Sequence, residues 1–266
     1  MNVMTIDVED WYHSLEPDPE RWSGYADRVE APTRRLLELF EIYGTRATFF
    51  VLGHVAELHP DLVREIASRG HEVGSHGYYH RFAYRQTREE FAADVARSID
   101  LLKKLTGKPV TSYRAPYFSI TAGSMWALEE LARLGIRHDS SVFPVHNPRY
   151  GVPGAPALPH ARPGGLTEVP PSTFQFAGIN LPVAGGVYFR FAAYPVLRAV
   201  YRKLERRGHP VVFYLHPWEL DPGQPRVALP AGLRLRHYWA LRDTERKLCA
   251  LLQDFRFRPI REVSAT

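Results

Sequence analysis

One cysteine, Cys249, stands in a chain of 266 residues, so no intramolecular disulfide is available and nothing implies an oxidising compartment. No uninterrupted apolar run approaches the ~20 residues that a membrane-spanning helix requires. The opening "MNVMTIDVED" has no basic region, and carboxylates stand where a leader's apolar stretch would run. The expectation is a cytoplasmic protein. There is no internal repeat and no low-complexity tract. The formal net charge is +5, yet the basic residues are spread along the sequence without a nucleic-acid motif, which argues against a nucleic-acid partner. A basic surface suits an anionic or membrane-associated substrate equally well.

What is present is a rhythm. Short β-rich runs ("NVMTIDV", "ATFFVLG", "HEVGSH", "VTSYRAPY", "IRHDSSV", "LTEVPPSTF", "PVVFYLHPW") alternate with helical patterns such as "TRRLLELFEIYG", "PDLVREIASRG" and "TREEFAADVARSIDLLKKLTG". The last of these opens with a capping box, Thr87 and Glu90. Alternation of this kind predicts an α/β protein with a parallel sheet of about seven strands, near the eight of a (β/α) barrel. The length suits one domain over 1–266. Residues 144–166, rich in proline and glycine, break the rhythm and read as a loop over the barrel mouth. A C-terminal extension, with a helix over roughly 238–253, follows residue 218.

Polar residues gather where the strands end. Asp7, Glu9 and Asp10 follow the first strand, "SHGYYH" the third, "YRAPY" the fourth, "HDSS" the fifth and "LHPWE" the last. In a parallel barrel these ends share the face that carries the active site. Three carboxylates so close repel, and water, a cation or a mechanism using a raised pKa must offset that cost. His76 and His80, four apart, face the same way if they lie on one helical turn. With a carboxylate from the acidic cluster they make a typical zinc set with open positions. The Arg114 fork can hold a carboxylate bidentately. His216 is either a satisfied core residue or a proton donor at the rim, and Asp139 could hold one of its nitrogens and raise its pKa.

These stretches resemble the polysaccharide deacetylases of carbohydrate esterase family 4. The order and spacing hold across residues 5–218: "TIDVED", His76 with His80, Arg114-Ala-Pro116-Tyr117, Asp139-Ser140 and Leu215-His216. "DVEDWYH", "YRAPYFSI" and "HPWELDP" further resemble the branch associated with exopolysaccharide and exosortase gene clusters. Two positions depart from the family. Its adjacent Asp-Asp becomes Asp7-Val8-Glu9-Asp10, which leaves Glu9 and Asp10 as alternative ligands with Glu9 preferred. Gly77 replaces a Ser or Thr, which implies reduced metal affinity.

The resemblance implies a distorted (β/α) barrel and removal of N-acetyl groups from an amino sugar of a polysaccharide or its lipid-linked precursor. It implies a divalent metal ion, zinc foremost, on His76, His80 and Glu9 or Asp10. Asp7, tethered by Arg114, would be the base, and His216, supported by Asp139, the acid. The Tyr117 N–H would help to hold the oxyanion. Trp11, Tyr78, Tyr79, Pro116, Tyr117 and Trp218 are candidate substrate contacts. Two rivals stand beside this reading: a C–N hydrolase acting on a small cyclic amide, and a non-catalytic carbohydrate-binding barrel. The segment "GGVYFRFAAYPVLRAVYRKLERR" either rests on a membrane surface or is an amphipathic helix packed on the barrel.

Overall fold

Strand β1 (Asn2–Val8) is buried along its whole length, as a continuous apolar run flanked by neighbours on both sides must be. The computed structural model describes residues 1–147 and 149–264; Pro148, within the loop expected over 144–166, and residues 265–266 lie outside the described residues. The remaining strands are β2 (Thr48–Val51), β3 (Glu72–Ser75), β4 (Ser112–Tyr113), β5 (His138–Asp139), β6 (His160–Arg162), β7 (Leu166–Glu168), β8 (Thr173–Phe176), β9 (Ile179–Pro182), β10 (Val212–Leu215) and β11 (Phe257–Arg258).

Seven strands run parallel in the order β10-β1-β2-β3-β4-β5-β7, and β6 adds an antiparallel edge beyond β7. The register places Ile6 between Leu215 and Phe49, and Phe49 beside Val73. The sheet curls into a half-barrel. Beyond β7 the chain reaches the β10 margin at Ser172, whose N–H donates to the Val212 carbonyl (3.1 Å) and whose Oγ accepts from the Val212 N–H (2.8 Å). β11 pairs with the start of β1, so the segment after 218 returns into the sheet and is not a trailing extension.

Nine helices surround the sheet among the described residues: α1 (Glu30–Ile42), α2 (Gly53–Leu58), α3 (Pro60–Ser68), α4 (Arg88–Thr106), α5 (Trp126–Arg133), α6 (Gly186–Phe191), α7 (Tyr194–Arg206), α8 (Ala231–Tyr238) and α9 (Leu241–Asp254). The capping box of α4 is formed: Thr87 Oγ1 accepts from the Glu90 N–H (3.2 Å) and Glu90 Oε2 from the Thr87 N–H (2.9 Å). The main core lies between sheet and outer helices, where Ile6, Leu36, Phe40, Phe49, Leu62 and Phe213 are fully buried. Each such side chain contributes roughly 1.5–3 kcal/mol by leaving water.

Several expected elements are different in the structure. β4 and β5 are only two residues long. "LTEVPPSTF" is two strands, because Pro170 and Pro171 interrupt it. Its second half is β8, which forms a separate hairpin with β9 around Ala177 and Gly178, both at positive φ as a tight hairpin turn demands. The segment "GGVYFRFAAYPVLRAVYRKLERR" becomes α6 and α7, with Phe189, Leu197, Tyr201 and Leu204 packed in the core and Arg190 buried, as the packed-helix alternative expects. Among the described residues no helix is long and apolar enough to cross a membrane.

Candidate active site

The parallel register brings the five polar strand ends to one rim. Asp7 and Glu9 come from the end of β1, His76 and His80 follow β3, Arg114 follows β4, Ser140 and Ser141 follow β5, and His216 follows β10. Asp7, Glu9, His76, His80, Tyr117, His216 and Trp218 line one cavity of about 170 Å³ there.

Glu9, His76 and His80 offer one ligand atom each, all within 4.8 Å of one another. His80 Nε2 touches Glu9 Oε2, and His76 Nε2 lies 3.9 Å from it. Glu9 Oε2 is buried with no partner besides these imidazoles, while Oε1 accepts a hydrogen bond from the Trp218 indole N–H (3.2 Å). Two imidazole nitrogens and a carboxylate oxygen within 4.8 Å of one another make a donor set that a divalent cation can take. His76 Nδ1 donates to the Arg114 carbonyl (2.9 Å), which leaves the Nε2 lone pair facing Glu9. Burial, helped by the nearby His80, pushes His76 down to about 4, so the ring is neutral as a ligand must be. Burial opposes ionisation of Glu9, but the imidazoles of His80, His216 and His76 outweigh it and hold the carboxyl well below the usual range.

The two histidines do not share a helical turn. Gly77 (φ 73°) and His80 (φ 52°) are left-handed, and the loop between them is tied to α4 by Asp94. The Asp94 carboxylate accepts from the N–H groups of Tyr78 (2.7 Å) and Tyr79 (3.2 Å). Ser75 Oγ accepts from the Gly77 N–H (3.2 Å). A Cβ at Gly77 would stand 3.1 Å from Asp94 Oδ2, so glycine suits both the backbone and the brace.

Asp10 belongs to the framework and not to the metal set. Its carboxylate accepts from the N–H groups of Trp11 (2.8 Å), Arg28 (2.6 Å) and Val29 (2.8 Å), fixing the chain where it enters α1. Burial is the main reason its carboxyl rises to about 6.

Arg114 is wholly buried and holds Asp7 through one prong only: Nη1 lies 2.7 Å from Asp7 Oδ1. Its other donors go to the Ser140 carbonyl (3.1 Å) and hydroxyl (2.7 Å), and Nη1 also meets Thr5 Oγ1 (2.7 Å). Asp7 Oδ2 is left facing the cavity, 3.9 Å from His216 Nε2.

His216 is not supported by Asp139. Its Nδ1 lies 2.8 Å from Glu219 Oε1, and Glu219 Oε2 accepts from Arg190 Nε (2.6 Å). Arg190 is anchored in turn by the carbonyls of Arg236, His237 and Trp239. Burial disfavours the imidazolium, but the Glu219 hydrogen bond and the charges of Glu9, Glu219 and Asp7 prevail and raise His216 to about 9. Asp139 instead accepts from the Ser141 hydroxyl (2.6 Å) and N–H (3.1 Å), and Ser141 Oγ accepts from the Ala115 N–H (2.8 Å). Asp139 thus shapes the floor under Arg114. Its partner in register, Glu168, is pushed well above the usual range by burial and by Asp139 itself. Glu219 and Arg190 were missed in the sequence, although "HPWE" places the glutamate three residues after the histidine.

The aromatic expectations divide. Trp218 is in the site but works as a wall, stacked between His216 (5.2 Å) and His237 (4.4 Å). Tyr117 (φ 57°) stacks on Phe82 at 4.1 Å and donates its hydroxyl to the His13 carbonyl (3.0 Å). Together with His80 and Phe118 it makes three left-handed non-glycine residues at one rim, the kind of backbone strain that collects at functional sites. Trp11 is buried, bonded to the Ala26 carbonyl and packed edge-on against Tyr12 and Tyr25. Tyr78 and Tyr79 turn away to Arg97, and Pro116 packs beside Gly77; none of these four lines the cavity.

Comparison with known proteins agrees with this geometry. A polysaccharide deacetylase model matches residues 23–137, and a domain of unknown function (DUF3473) matches residues 140–265. Both segments contribute strands to the one sheet and side chains to the one cavity. A peptidoglycan deacetylase from Helicobacter pylori is 36% identical over 131 residues, 49% of this chain and 42% of that protein. A peptidoglycan-N-acetylglucosamine deacetylase from Bacillus cereus is 27% identical over 145 residues, 50% of this chain and 52% of that protein. The alignments thus span about half the length of these relatives or less. A crystal structure named for a polysaccharide deacetylase of Mycobacterium smegmatis shares the fold at TM-score 0.60 and 20% identity, covering 99% of this chain and 93% of that one. A carbohydrate esterase family 4 pseudoenzyme from Bacillus anthracis shares it at TM-score 0.51 and 15% identity, over 98% and 64% of the respective chains. With the matched segments converging on one set of strand ends, the chain carries a polysaccharide deacetylase domain over residues 23–137.

Proposed function

We propose that this protein is a metal-dependent N-deacetylase, releasing acetate from an N-acetylated amino sugar of a polysaccharide or its lipid-linked precursor. The observation that carries the reading is the meeting, in one cavity, of three complete parts: the ligand set, Asp7 on Arg114, and His216 on Glu219. A fold likeness alone would not suffice, since one neighbour of this fold is a pseudoenzyme.

Glu9, His76 and His80 would hold a divalent cation, zinc foremost for this donor set; when bound, it supplies Lewis acidity toward the amide carbonyl and lowers the pKa of water. Asp7, with Oδ1 held by Arg114, takes the proton of the attacking water at Oδ2. Across the cavity, His216 Nε2 gives its proton to the nitrogen as the carbon–nitrogen bond breaks, which yields acetate and a free amino sugar. Glu219 keeps the Nδ1 proton in place and favours the charged ring. The Tyr117 N–H is assigned to the oxyanion.

The relatives named for peptidoglycan support a glycan substrate, and the "DVEDWYH" and "HPWELDP" stretches support an exopolysaccharide intermediate. Exposed Phe191, Leu235 and Trp239 stand beside the mouth and favour a lipid-linked form handled at a membrane periphery. The test is acetate release from N-acetylated oligosaccharides, peptidoglycan and lipid-linked sugars, before and after chelation and zinc restoration. Acetate release abolished by chelation and restored by zinc is expected. Release unaffected by complete metal removal, or none from any substrate, would overturn the reading.

A further inference from the structure

We propose that Arg149 and Arg236 form an anion subsite at the cavity mouth, so that the N-acetyl sugar taken by this protein carries or adjoins a carboxylate or phosphate. The inference rests on the deacetylase reading and specifies its substrate.

Inside the cavity each charge has its counterpart. Asp7 lies on Arg114 (2.7 Å), Glu219 lies on Arg190 (2.6 Å) and His216 (2.8 Å), and Glu9 faces two imidazoles. Arg149 and Arg236 line the same cavity and are exposed, and among the described residues neither is paired with a carboxylate. The mouth therefore carries two positive charges that the protein itself does not neutralise.

They share the cavity lining with Tyr150 and Tyr188. Both guanidinium charges act on the Tyr150 hydroxyl, and Arg149 also acts on that of Tyr117. The Tyr150 and Tyr188 hydroxyls lie 2.6 Å apart. One of them donates to the other, so a single O–H remains to donate outward. Two guanidinium forks and one hydroxyl donor make a set that holds a carboxylate or phosphate more strongly than a neutral sugar hydroxyl. Size agrees with this placement. A cavity of about 170 Å³ is below the ~300–1,000 Å³ of ordinary ligand pockets, so it admits one reacting ring while its substituent lies across the mouth. Both arginines also lie within residues 140–265, outside the segment matched by the deacetylase model. The same segment supplies the acid His216 and its partners Glu219 and Arg190.

The experiment compares kcat/KM for acetate release from three probes. They are a neutral N-acetylglucosamine tetramer, an oligomer containing the carboxylate of N-acetylmuramic acid, and a polyprenyl-pyrophosphoryl N-acetylglucosamine. The wild type should prefer one anionic probe over the neutral one by roughly tenfold or more, the scale of a charge-assisted contact. Which anionic probe is preferred assigns the source of the charge. The double variant Arg149→Gln/Arg236→Gln should bring the ratio near one, and Arg149→Lys/Arg236→Lys should keep part of it. Equal use of neutral and anionic probes, or a preference that survives the glutamine pair, would overturn the subsite. If no probe releases acetate, the deacetylase reading fails instead. The subsite is then read by calorimetric binding of the muramic-acid oligomer to metal-free protein: binding lost in the glutamine pair supports it, and binding unchanged overturns it.

Discussion

Glu219 grips His216 Nδ1 at 2.8 Å while its other oxygen rests on Arg190 Nε at 2.6 Å, so the buried Arg190 on α6 keeps ionised the carboxylate that favours the charged ring. The arrangement predicts the pH profile. As the proposed acid, His216 would act only while protonated, and the carboxylates around it raise its pKa to about 9 against the burial that lowers it. Activity should therefore fall on the alkaline side as pH rises through that region, well above the ~6.5 of a free imidazole. Glu219→Gln removes one negative charge, disfavours the imidazolium and should move the alkaline limb to lower pH by roughly one to two units. Asp139→Asn should leave the limb in place, because that carboxylate serves Ser141. Equal profiles for wild type and Glu219→Gln would show that the pair does not set the acid.

The carboxylates of "DVED" should separate cleanly by metal content. His76→Ala, His80→Ala and Glu9→Gln each remove a ligand atom and should lose bound divalent metal and activity while remaining folded. Asp10→Asn should keep the metal. Its cost is to folding, roughly 1–3 kcal/mol in a denaturant titration, because an amide cannot accept all three backbone N–H groups. Metal analysis that finds Asp10→Asn empty and Glu9→Gln loaded would reverse the assignment.

Asp7 and Arg114 test the base and its support. Asp7→Asn keeps a similar shape and should retain metal while losing about 10²–10⁴-fold in turnover, the span of a general-base contribution. Arg114→Met should cost about 3–5 kcal/mol of stability, since it leaves the buried Asp7 carboxylate without its counter-charge. Calorimetry on the two variants checks the contrast: a stable, metal-loaded, inactive Asp7→Asn beside a destabilised Arg114→Met.

Sequence reasoning reached the parts of this site that sit where strands end, because strand–helix alternation tells which ends share a face. Asp7, Glu9, His76, His80, Arg114 and His216 all follow that rule. It did not reach partnerships decided by three-dimensional proximity. Nothing along the chain says that Asp10 will meet the N–H groups of Arg28 and Val29, or that Asp139 will bond Ser141 and not His216. Aromatic residues in loops carry no periodicity, so Trp11 and Trp218 look alike in sequence although one packs among tyrosines and the other walls the cavity. The β8–β9 hairpin escaped because Ala177-Gly178 lacks the usual Asn-Gly or Asp-Gly signal, and Ala177 takes a left-handed conformation without it.

The last prediction concerns the apolar edge beside the mouth. Phe191 and Trp239 stack at 5.5 Å, 46% and 48% exposed, with Leu235 48% exposed on α8, whose Leu233 and Arg236 line the cavity. Inserting the exposed halves of three such side chains into a lipid interface contributes about 1 kcal/mol each. That sum alone corresponds to binding weaker than ~1 mM. Each basic side chain near an anionic surface adds about 1 kcal/mol, and Arg234 and Arg236 on α8 and Arg242 at the start of α9 are exposed. Arg198 and Arg202 on α7 add less, because Asp254 partly neutralises them. Neither contribution suffices alone, so binding should need both lipid charge and the aromatic pair. Co-sedimentation is expected with vesicles rich in phosphatidylglycerol at low salt, and not with phosphatidylcholine. It should weaken as salt screens the charges, and Phe191→Ser/Trp239→Ser should abolish it while acetate release from a soluble oligosaccharide persists. Failure to sediment with anionic vesicles at low salt would leave this edge without a membrane role.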